Sequence, residues 1–296
     1  MDELENILEI IKICCQKIAN IIRYSNSLEL SKLSEQYNLS GDNAKKLDLI
    51  ANSILKTELS KCKLIRTIGS EEEENFHNTK FTDAPYLICY DPLDGSSNIG
   101  VNITTGTIFA IYRYDTHMIK DGNNIVMAGY CLYGGCCQLI VANKKITMYQ
   151  LTTTHNKEYF TIISDFWKIP NKGTYYAINE SNKHIWTDAR NTLICDKLIK
   201  DGYSARWVAS LVADAHRTLI KGGFFSYPAN KKDTHGKIRL LYEAYPFAYI
   251  FKIAGGESLN GKKNISLLDV PFPDNCHQKT PIVLSGQYEM GKFLEI

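Results

Sequence analysis

Leu4, Ile7, Leu8, Ile11, Cys15, Ile18 and Ile22 recur at steps of three or four, the period of a helix with one buried face. Leu47, Ile50, Ile54 and Leu55 repeat that spacing. Between them, residues 25–43 are polar, carry Gly41 and predict a loop. Residues 64–68 predict a short strand stopped by Gly69, and residues 86–90 a second, bounded by Pro85 and by Asp91-Pro92. Apolar runs at 107–113, 126–133, 138–142, 146–149, 159–163 and 174–178, parted by Gly, Asn and Asp, make the middle third strand-rich. Helical spacing returns at Val208, Leu211, Val212, Ala215 and Leu219, closed by Gly222-Gly223. A final helix, 247–254, is closed by Gly255-Gly256. Helices and strands mixed in this order predict an α/β (α+β) layered fold. A break near 165–170 divides the chain into halves of 1–167 and 168–296.

Composition narrows the function classes. Hydrophobic residues make up 44% and charged residues 22%, so wholesale disorder, collagen and a coiled-coil rod are excluded. A chain of 296 residues buries enough surface to fold without a metal or disulfide staple. The 34 basic against 32 acidic side chains leave a net charge of +2, which gives no reason to expect nucleic-acid binding. The opening MDELENILEIIK carries acids where an export signal wants bases. The longest weakly polar run, 127–142, is interrupted by Gly and Gln and is too short to span a membrane. Nine cysteines without a C-x-x-C pair predict reduced core thiols in a cytoplasmic protein.

Candidate chemistry lies in three acidic stretches. The first, Ser70-Glu71-Glu72-Glu73-Glu74, reads equally as a solvated charge run. The second, Asp91-Pro92-Leu93-Asp94-Gly95-Ser96-Ser97-Asn98, follows an apolar strand. There Pro92 is expected to turn the chain, so that Asp91 and Asp94 point at one locus across a tight turn. Gly95 allows close approach or a positive φ, and Ser96 and Ser97 bring free backbone donors. A strand, two acids and free N–H groups can hold a metal on one side and a phosphate on the other, although a plain Asp-Gly turn has the same letters. The third is Glu243, at the head of the last helix. Asp91, Asp94, Glu71, Glu72 and Glu243 offer more hard oxygen ligands than one Mg²⁺ needs, so two or more divalent ions suit them, as does in-line attack on a phosphate. Sequence separation does not show that the stretches meet.

Residues 41–48 (GDNAKKLD), 70–72 (SEE), 90–99 (YDPLDGSSNI), 106–113 (GTIFAIYR), 205–218 (ARWVASLVADAHRT), 227–232 (YPANKK), 236–256 (GKIRLLYEAYPFAYIFKIAGG) and 277–286 (HQKTPIVLSG) carry a resemblance over nearly the whole chain. The DPLDGSS stretch resembles the Mg²⁺-dependent, lithium-sensitive phosphatase superfamily. YPANKK with GKIRLLYE narrows this to the class I fructose-1,6-bisphosphatases. The resemblance implies a sugar-phosphatase fold of two stacked αβ halves with the active site in the cleft between them. It implies Mg²⁺-dependent removal of the 1-phosphate of fructose 1,6-bisphosphate, a gluconeogenic step, with Mn²⁺ or Zn²⁺ as other possible ions.

Carried over by position, Glu71, Glu72, Asp91, Leu93, Asp94 and Glu243 resemble the metal ligands. Asp42 and Asp48 match acids on a loop that closes over the site, and Asp48 with Glu72 matches the pair that positions and deprotonates the attacking water. Asp94, Gly95, Ser96 and Ser97 match the holders of the 1-phosphate. Asn179, Tyr227 and Lys237 match the cradle of the 6-phosphate, and Arg239 a substrate-binding residue near the metal and 1-phosphate end. Arg206 matches an arginine that reaches the neighbouring subunit's site, which implies a homotetramer. Trp207, a candidate substrate-binding residue, stands where a phosphate-binding tyrosine is usual, and Asn182 where a second tyrosine is common. Pro85 replaces a lysine of the family's AMP site, although Tyr86 and Arg113 match, and the chain starts near the end of the segment that helps build that site. Weak or absent AMP inhibition is expected. His216 reads as structural. Two other functions compete: a sedoheptulose-1,7-bisphosphatase, and a catalytically silent sugar-phosphate sensor.

Overall fold

The structure is a computed structural model that describes residues 2–24, 43–114, 118–262 and 264–296. Its elements stack in five layers. Helices α1 (Glu3–Arg23) and α2 (Asn43–Leu59) form the outermost layer of the N-terminal half. They bury Ile7, Ile11, Cys15, Leu47, Ala51 and Leu55 against one face of an eight-stranded sheet, as their three-four spacing requires. That sheet contains β1 (Ile65–Ser70), β2 (His77–Asn78), β3 (Tyr86–Asp94), β4 (Thr105–Arg113), β5 (Ile125–Tyr133), β6 (Cys137–Ala142), β7 (Ile146–Thr154) and β8 (Lys157–Asp165). The strand order is β2-β1-β3-β4-β5-β6-β7-β8, with β1 and β3 parallel and each other pair antiparallel.

The second sheet takes β9 (Tyr175–Ala177), helix α3 (Arg190–Lys200) and β10 (Ser204–Ala205) in chain order. Helix α4 (Leu211–Lys221), β11 (Phe224–Tyr227), β12 (Ile238–Arg239) and α5 (Tyr245–Ala254) follow. The chain ends with β13 (Glu257–Leu259), β14 (Lys279–Thr280), β15 (Ile282–Ser285) and α6 (Gln287–Leu294). The sheet order is β10-β9-β11-β15-β13, while β12 and β14 pair separately as a short ribbon. Helices α4 and α5 lie between the two sheets: Val212, Ala215, Leu219, Phe247 and Phe251 share one core with Leu87, Ile108, Ala110 and Tyr130 on one side and Phe225, Ile282 and Leu284 on the other. Helices α3 and α6 cover the far face through Ile194, Leu198, Met290 and Phe293.

The central strands are covered on both faces. Along β4, Ile108, Ala110 and Tyr112 enter the inter-sheet core, while Phe109 and Ile111 enter the core beneath α1 and α2. A strand covered on both sides needs no polar alternation, which is why β3 to β6 are near-continuous apolar runs.

Several expectations need correction. Gly69 does not stop β1, because the ladder with β3 runs on through Gly69↔Cys89 and Ser70↔Tyr90. Asp91-Pro92 is not a turn. β3 continues to Asp94, and its pairing with β4 passes from Asp91↔Ile108 to Asp94↔Gly106, so β3 carries one extra residue. Pro92, with no N–H to give the ladder, occupies this bulge, and its carbonyl accepts from Thr107 Oγ1 at 2.8 Å. Val208 lies outside α4. Helix α3 escaped the periodicity because its buried face includes the polar Asn191, which accepts from Ser226 Oγ at 3.2 Å in the interior. Helix α6 also follows what the pattern made the last helix. All nine cysteines are free thiols; Cys136 is exposed and Cys137 half-buried, while the others sit in the core.

Gly106 lies under α4, beside Asp94, where a Cβ would stand 2.4 Å from the Cys131 carbonyl and 2.9 Å from Val212 Cγ2. Gly106→Ala should therefore destabilise by about 1–3 kcal/mol, read as a lower denaturant midpoint at unchanged slope. Gly100→Ala, with nothing within 4 Å of the new Cβ, should move the midpoint little. Equal midpoints for the two variants would contradict the packing.

Candidate active site

Two irregular turns of backbone aim acids into one cleft. The bulge in β3 breaks the up-down alternation of the strand, so Asp91 and Asp94, three residues apart, converge. A single π-helical turn, Leu240–Ala244, joins β12 to α5 and projects Glu243 toward them. One carboxylate oxygen from each of Asp91, Asp94 and Glu243 lies within 4.8 Å of the others. Backbone donors hold each acid. Asp94 Oδ2 accepts from Val212 N at 2.8 Å and Ser210 Oγ at 3.0 Å, at the start of α4. Asp91 Oδ1 accepts from Leu93 N at 2.9 Å, and Glu243 Oε2 from Arg239 N.

The acidic run after β1 is divided. Glu71 and Glu72 line the cleft. Glu73 turns away, accepting from Asn52 Nδ2 at 2.8 Å and Lys56 Nζ at 2.9 Å on α2. Its carbonyl accepts from His277 Nε2 at 2.9 Å, while His277 Nδ1 pairs with Tyr242 OH, also at 2.9 Å. His277 thus bridges the loop bearing Glu71 and Glu72 to the turn bearing Glu243. Only Glu74 keeps the fully exposed character expected of a solvated run.

The cleft, about 510 Å³, is also lined by Asp48, Leu93, Gly95, Ser96, Ser97, Trp207, Tyr227, Lys237, Arg239 and Lys279. Gly95 takes φ +74, the left-handed conformation its lack of Cβ permits, and turns the chain out of β3. Trp207 stands 5.9 Å from Tyr227 and 6.5 Å from Phe225, ring centre to ring centre. The acids form the floor and the three cations belong to the segment 237–239 and its partner strand β14.

Burial dominates the electrostatics. It pushes the Asp91 and Glu243 carboxyls well above the ordinary range, and repulsion from Glu71 and from one another adds to this. Asp94 is raised to about 6 by burial, against the opposing bonds from Val212 and Ser210. Asp48 is raised to about 7, chiefly by burial, with Glu72 and Glu71 adding repulsion and a bond from Ser96 opposing. Clustered carboxylates that the protein leaves this poorly neutralised fit a divalent cation, whose hard-oxygen preference they match.

Family models place this arrangement. Residues 1–162 match the fructose-1-6-bisphosphatase N-terminal domain and residues 169–296 the fructose-1-6-bisphosphatase C-terminal domain. The chain belongs to the fructose-1,6-bisphosphatase family. It is 40% identical to the class 1 fructose-1,6-bisphosphatase of Persephonella marina over 292 residues, 94% of this chain and 87% of that protein. It is 35% identical to fructose-1,6-bisphosphatase 1 of Bos taurus, over 99% of this chain and 89% of that one. It superimposes on the holo-form crystal structure of Leishmania major fructose-1,6-bisphosphatase with a TM-score of 0.87 at 30% identity, covering 99% of this chain and 93% of that chain.

Within this fructose-1,6-bisphosphatase fold, the residues picked out from sequence divide into groups. Asp48, Glu71, Glu72, Asp91, Leu93, Asp94, Gly95, Ser96, Ser97, Trp207, Tyr227, Lys237, Arg239 and Glu243 share the cleft. Leu93 has only its backbone oxygen to offer a cation. Asn179 and Arg206 are not part of that lining. Asn179 Oδ1 accepts from Ser181 Oγ at 2.6 Å, and the Arg206 guanidinium lies 5.4 Å from the centre of the Tyr175 ring. Asp42 lies outside the described residues. His216 faces Tyr130 OH at 2.8 Å, away from the acids, and burial pushes its imidazole down to about 4. Sequence reading passed over Ser210, His277 and Lys279. Each falls inside a segment that carries the family resemblance, but their positions against Asp94, Glu73 and Arg239 depend on long-range packing.

A pH titration of stability tests the acid cluster. An unfolded aspartate releases its proton near 3.8, whereas Asp94 holds it to about 6 and Asp48 to about 7. Unfolding within that window releases protons. With divalent ions chelated, the unfolding free energy should fall as pH rises from about 4 to about 7, with these two contributions complete above that range. Chemical denaturation at a series of pH values should show a shallower fall for the Asp48→Asn/Asp94→Asn double variant. Parallel curves would rule out the raised carboxyls.

Proposed function

We propose that this chain is a fructose-1,6-bisphosphate 1-phosphatase that requires Mg²⁺ and yields fructose 6-phosphate and inorganic phosphate. The observation that carries this reading is the meeting of Asp91, Asp94 and Glu243 within 4.8 Å of one another, at the floor of a cleft whose wall holds three cations. Two or more Mg²⁺ ions would be held by Asp91, Asp94, Glu243, Glu71, Glu72 and the Leu93 carbonyl. When bound, such ions polarise phosphoryl oxygens and acidify water.

The chain's own groups supply the rest. Asp48, raised to about 7, is suited to take a proton from an attacking water near neutral pH, with Glu72 beside it. Gly95, Ser96 and Ser97 present donors to the phosphate that is cut. Ser210 and the start of α4 keep Asp94 aimed at the floor. Tyr227 and Lys237, with Asn179, receive the distal phosphate, and Trp207 packs Tyr227 into place. Arg206, outside its own cleft, reaches the neighbouring site in a homotetramer. Asp42 belongs to the closing loop. The catalytic cleft separates two functional halves, 1–167 and 168–296, and the protein works in the cytoplasm. Among the described residues no helix is long and apolar enough to cross a membrane.

Phosphate release from fructose 1,6-bisphosphate, with and without Mg²⁺, tests the assignment. Asp94→Asn should lower the rate by roughly a thousandfold or more, as expected when a charge-stabilising group is lost, while the circular dichroism spectrum stays that of the parent. Normal turnover by that variant would sink the metal-site reading. Faster turnover of sedoheptulose 1,7-bisphosphate would move the substrate assignment to that sugar. AMP should inhibit weakly or not at all, since Pro85 occupies a lysine position of the family's nucleotide site; strong inhibition at low micromolar AMP would contradict this.

A further inference from the structure

Arg239 and Lys279 stand directly opposite each other where β12 pairs with β14. Opposed residues in an antiparallel pair project from the same face, and like charges so placed repel. Both side chains line the cleft. Among the described residues neither forms an ion pair, although six carboxylates line the same cleft: Asp48, Glu71, Glu72, Asp91, Asp94 and Glu243. The Nε of Arg239 is moreover buried without an acceptor. A buried donor left unsatisfied is costly.

The position of Lys279 along the cleft is set by its neighbours. His277 Nε2 reaches the Glu73 carbonyl at 2.9 Å, and Cys276 Sγ the Glu74 carbonyl at 3.6 Å. The Gln278 carbonyl accepts from Leu240 N at 2.8 Å. The strand bearing Lys279 is therefore fastened between the loop of Glu71 and Glu72 and the turn of Glu243. Lys279 thus lines the cleft beside the elements that carry Glu71, Glu72 and Glu243.

We propose that Lys279 joins Arg239, which the family resemblance already puts near the 1-phosphate, as the second cation of a clamp for the phosphate dianion at the metal end, and so is a substrate-binding residue additional to those the resemblance implies. The proposal rests on the function proposed above and specifies how its phosphate is gripped. An oxygen of the dianion accepts from the Arg239 guanidinium where it lines the cleft, and another accepts from the Lys279 ammonium. The anion removes the repulsion between the two cations. An arginine fork beside a mobile ammonium suits this task, the first fixing orientation and the second adding charge.

The test uses the full chain under saturating Mg²⁺, with Lys279→Met and Lys279→Arg. For Lys279→Met, KM for fructose 1,6-bisphosphate and the inhibition constant of inorganic phosphate should rise together by about tenfold, the loss of one charge-assisted hydrogen bond, and by more than kcat falls. Lys279→Arg should recover most of both. Binding by the parent should weaken more steeply with added salt than binding by Lys279→Met. An active parent together with a Lys279→Met variant whose two constants are unchanged would overturn the clamp and leave the function standing. If the parent releases no phosphate, the function reading fails. Calorimetry with inorganic phosphate on the Mg²⁺-loaded parent and variant then decides the clamp: equal affinities overturn it and a tenfold difference supports it.

Discussion

Mutual repulsion among buried carboxylates is the constraint around which this molecule is built. Asp91, Asp94 and Glu243 come within 4.8 Å of one another, largely buried where they line the cleft. Like charges in such a setting cannot all stay ionised without compensation. The fold supplies part of it through N–H donors: Val212 to Asp94, Leu93 to Asp91 and Arg239 to Glu243. That is enough to orient the oxygens and too little to neutralise them. The remaining deficit makes the floor of the cleft attractive to a divalent cation.

Both segments that bear these acids carry an irregularity. β3 holds one residue more than its partner between Asp91 and Asp94, and the helix that follows β12 begins with a π-helical turn at Glu243. In regular geometry Asp91 and Asp94 would leave opposite faces of the sheet. The bulge brings them to one side, and Thr107 Oγ1 satisfies the Pro92 carbonyl exposed by the broken ladder. The Thr107 hydroxyl lies 2.7 Å from Tyr133 OH in turn, so the irregular stretch is anchored in the core.

The five layers place this floor at a seam. Helix α4 sits between the sheets, and its first turn delivers Ser210 and Val212 to an acid of the other half. Tyr112 OH donates to the Leu241 carbonyl at 2.6 Å, tying β4 to the turn that bears Glu243. His277 ties that turn to the loop after β1. Asp48, Glu71, Glu72, Asp91 and Asp94 come from the N-terminal half, while Glu243 joins them from the C-terminal half, which also brings Lys237, Arg239 and Lys279. An anion with two charged ends meets both kinds of surface in one cleft.

Local physics could be read directly from the chain. The three-four spacing of Ile7, Ile11, Cys15 and Ile18 decided α1, and Gly255, with φ +88, marked the end of α5. The acids of DPLD and of the Glu71-Glu72 pair were legible as hard ligands, and so was the family, because short motifs keep their letters whatever surrounds them. Only the tertiary structure decided how Asp91 and Asp94 converge, since a proline in an apolar run signals a turn as readily as a bulge and the choice depends on pairing with Ile108 and Gly106. It also decided that Glu73 turns to Lys56 while Glu71 turns inward, and that Lys279 stands across from Arg239. Periodicity and turn chemistry act over a few residues, whereas these partners are set by strand register and sheet stacking across the whole chain.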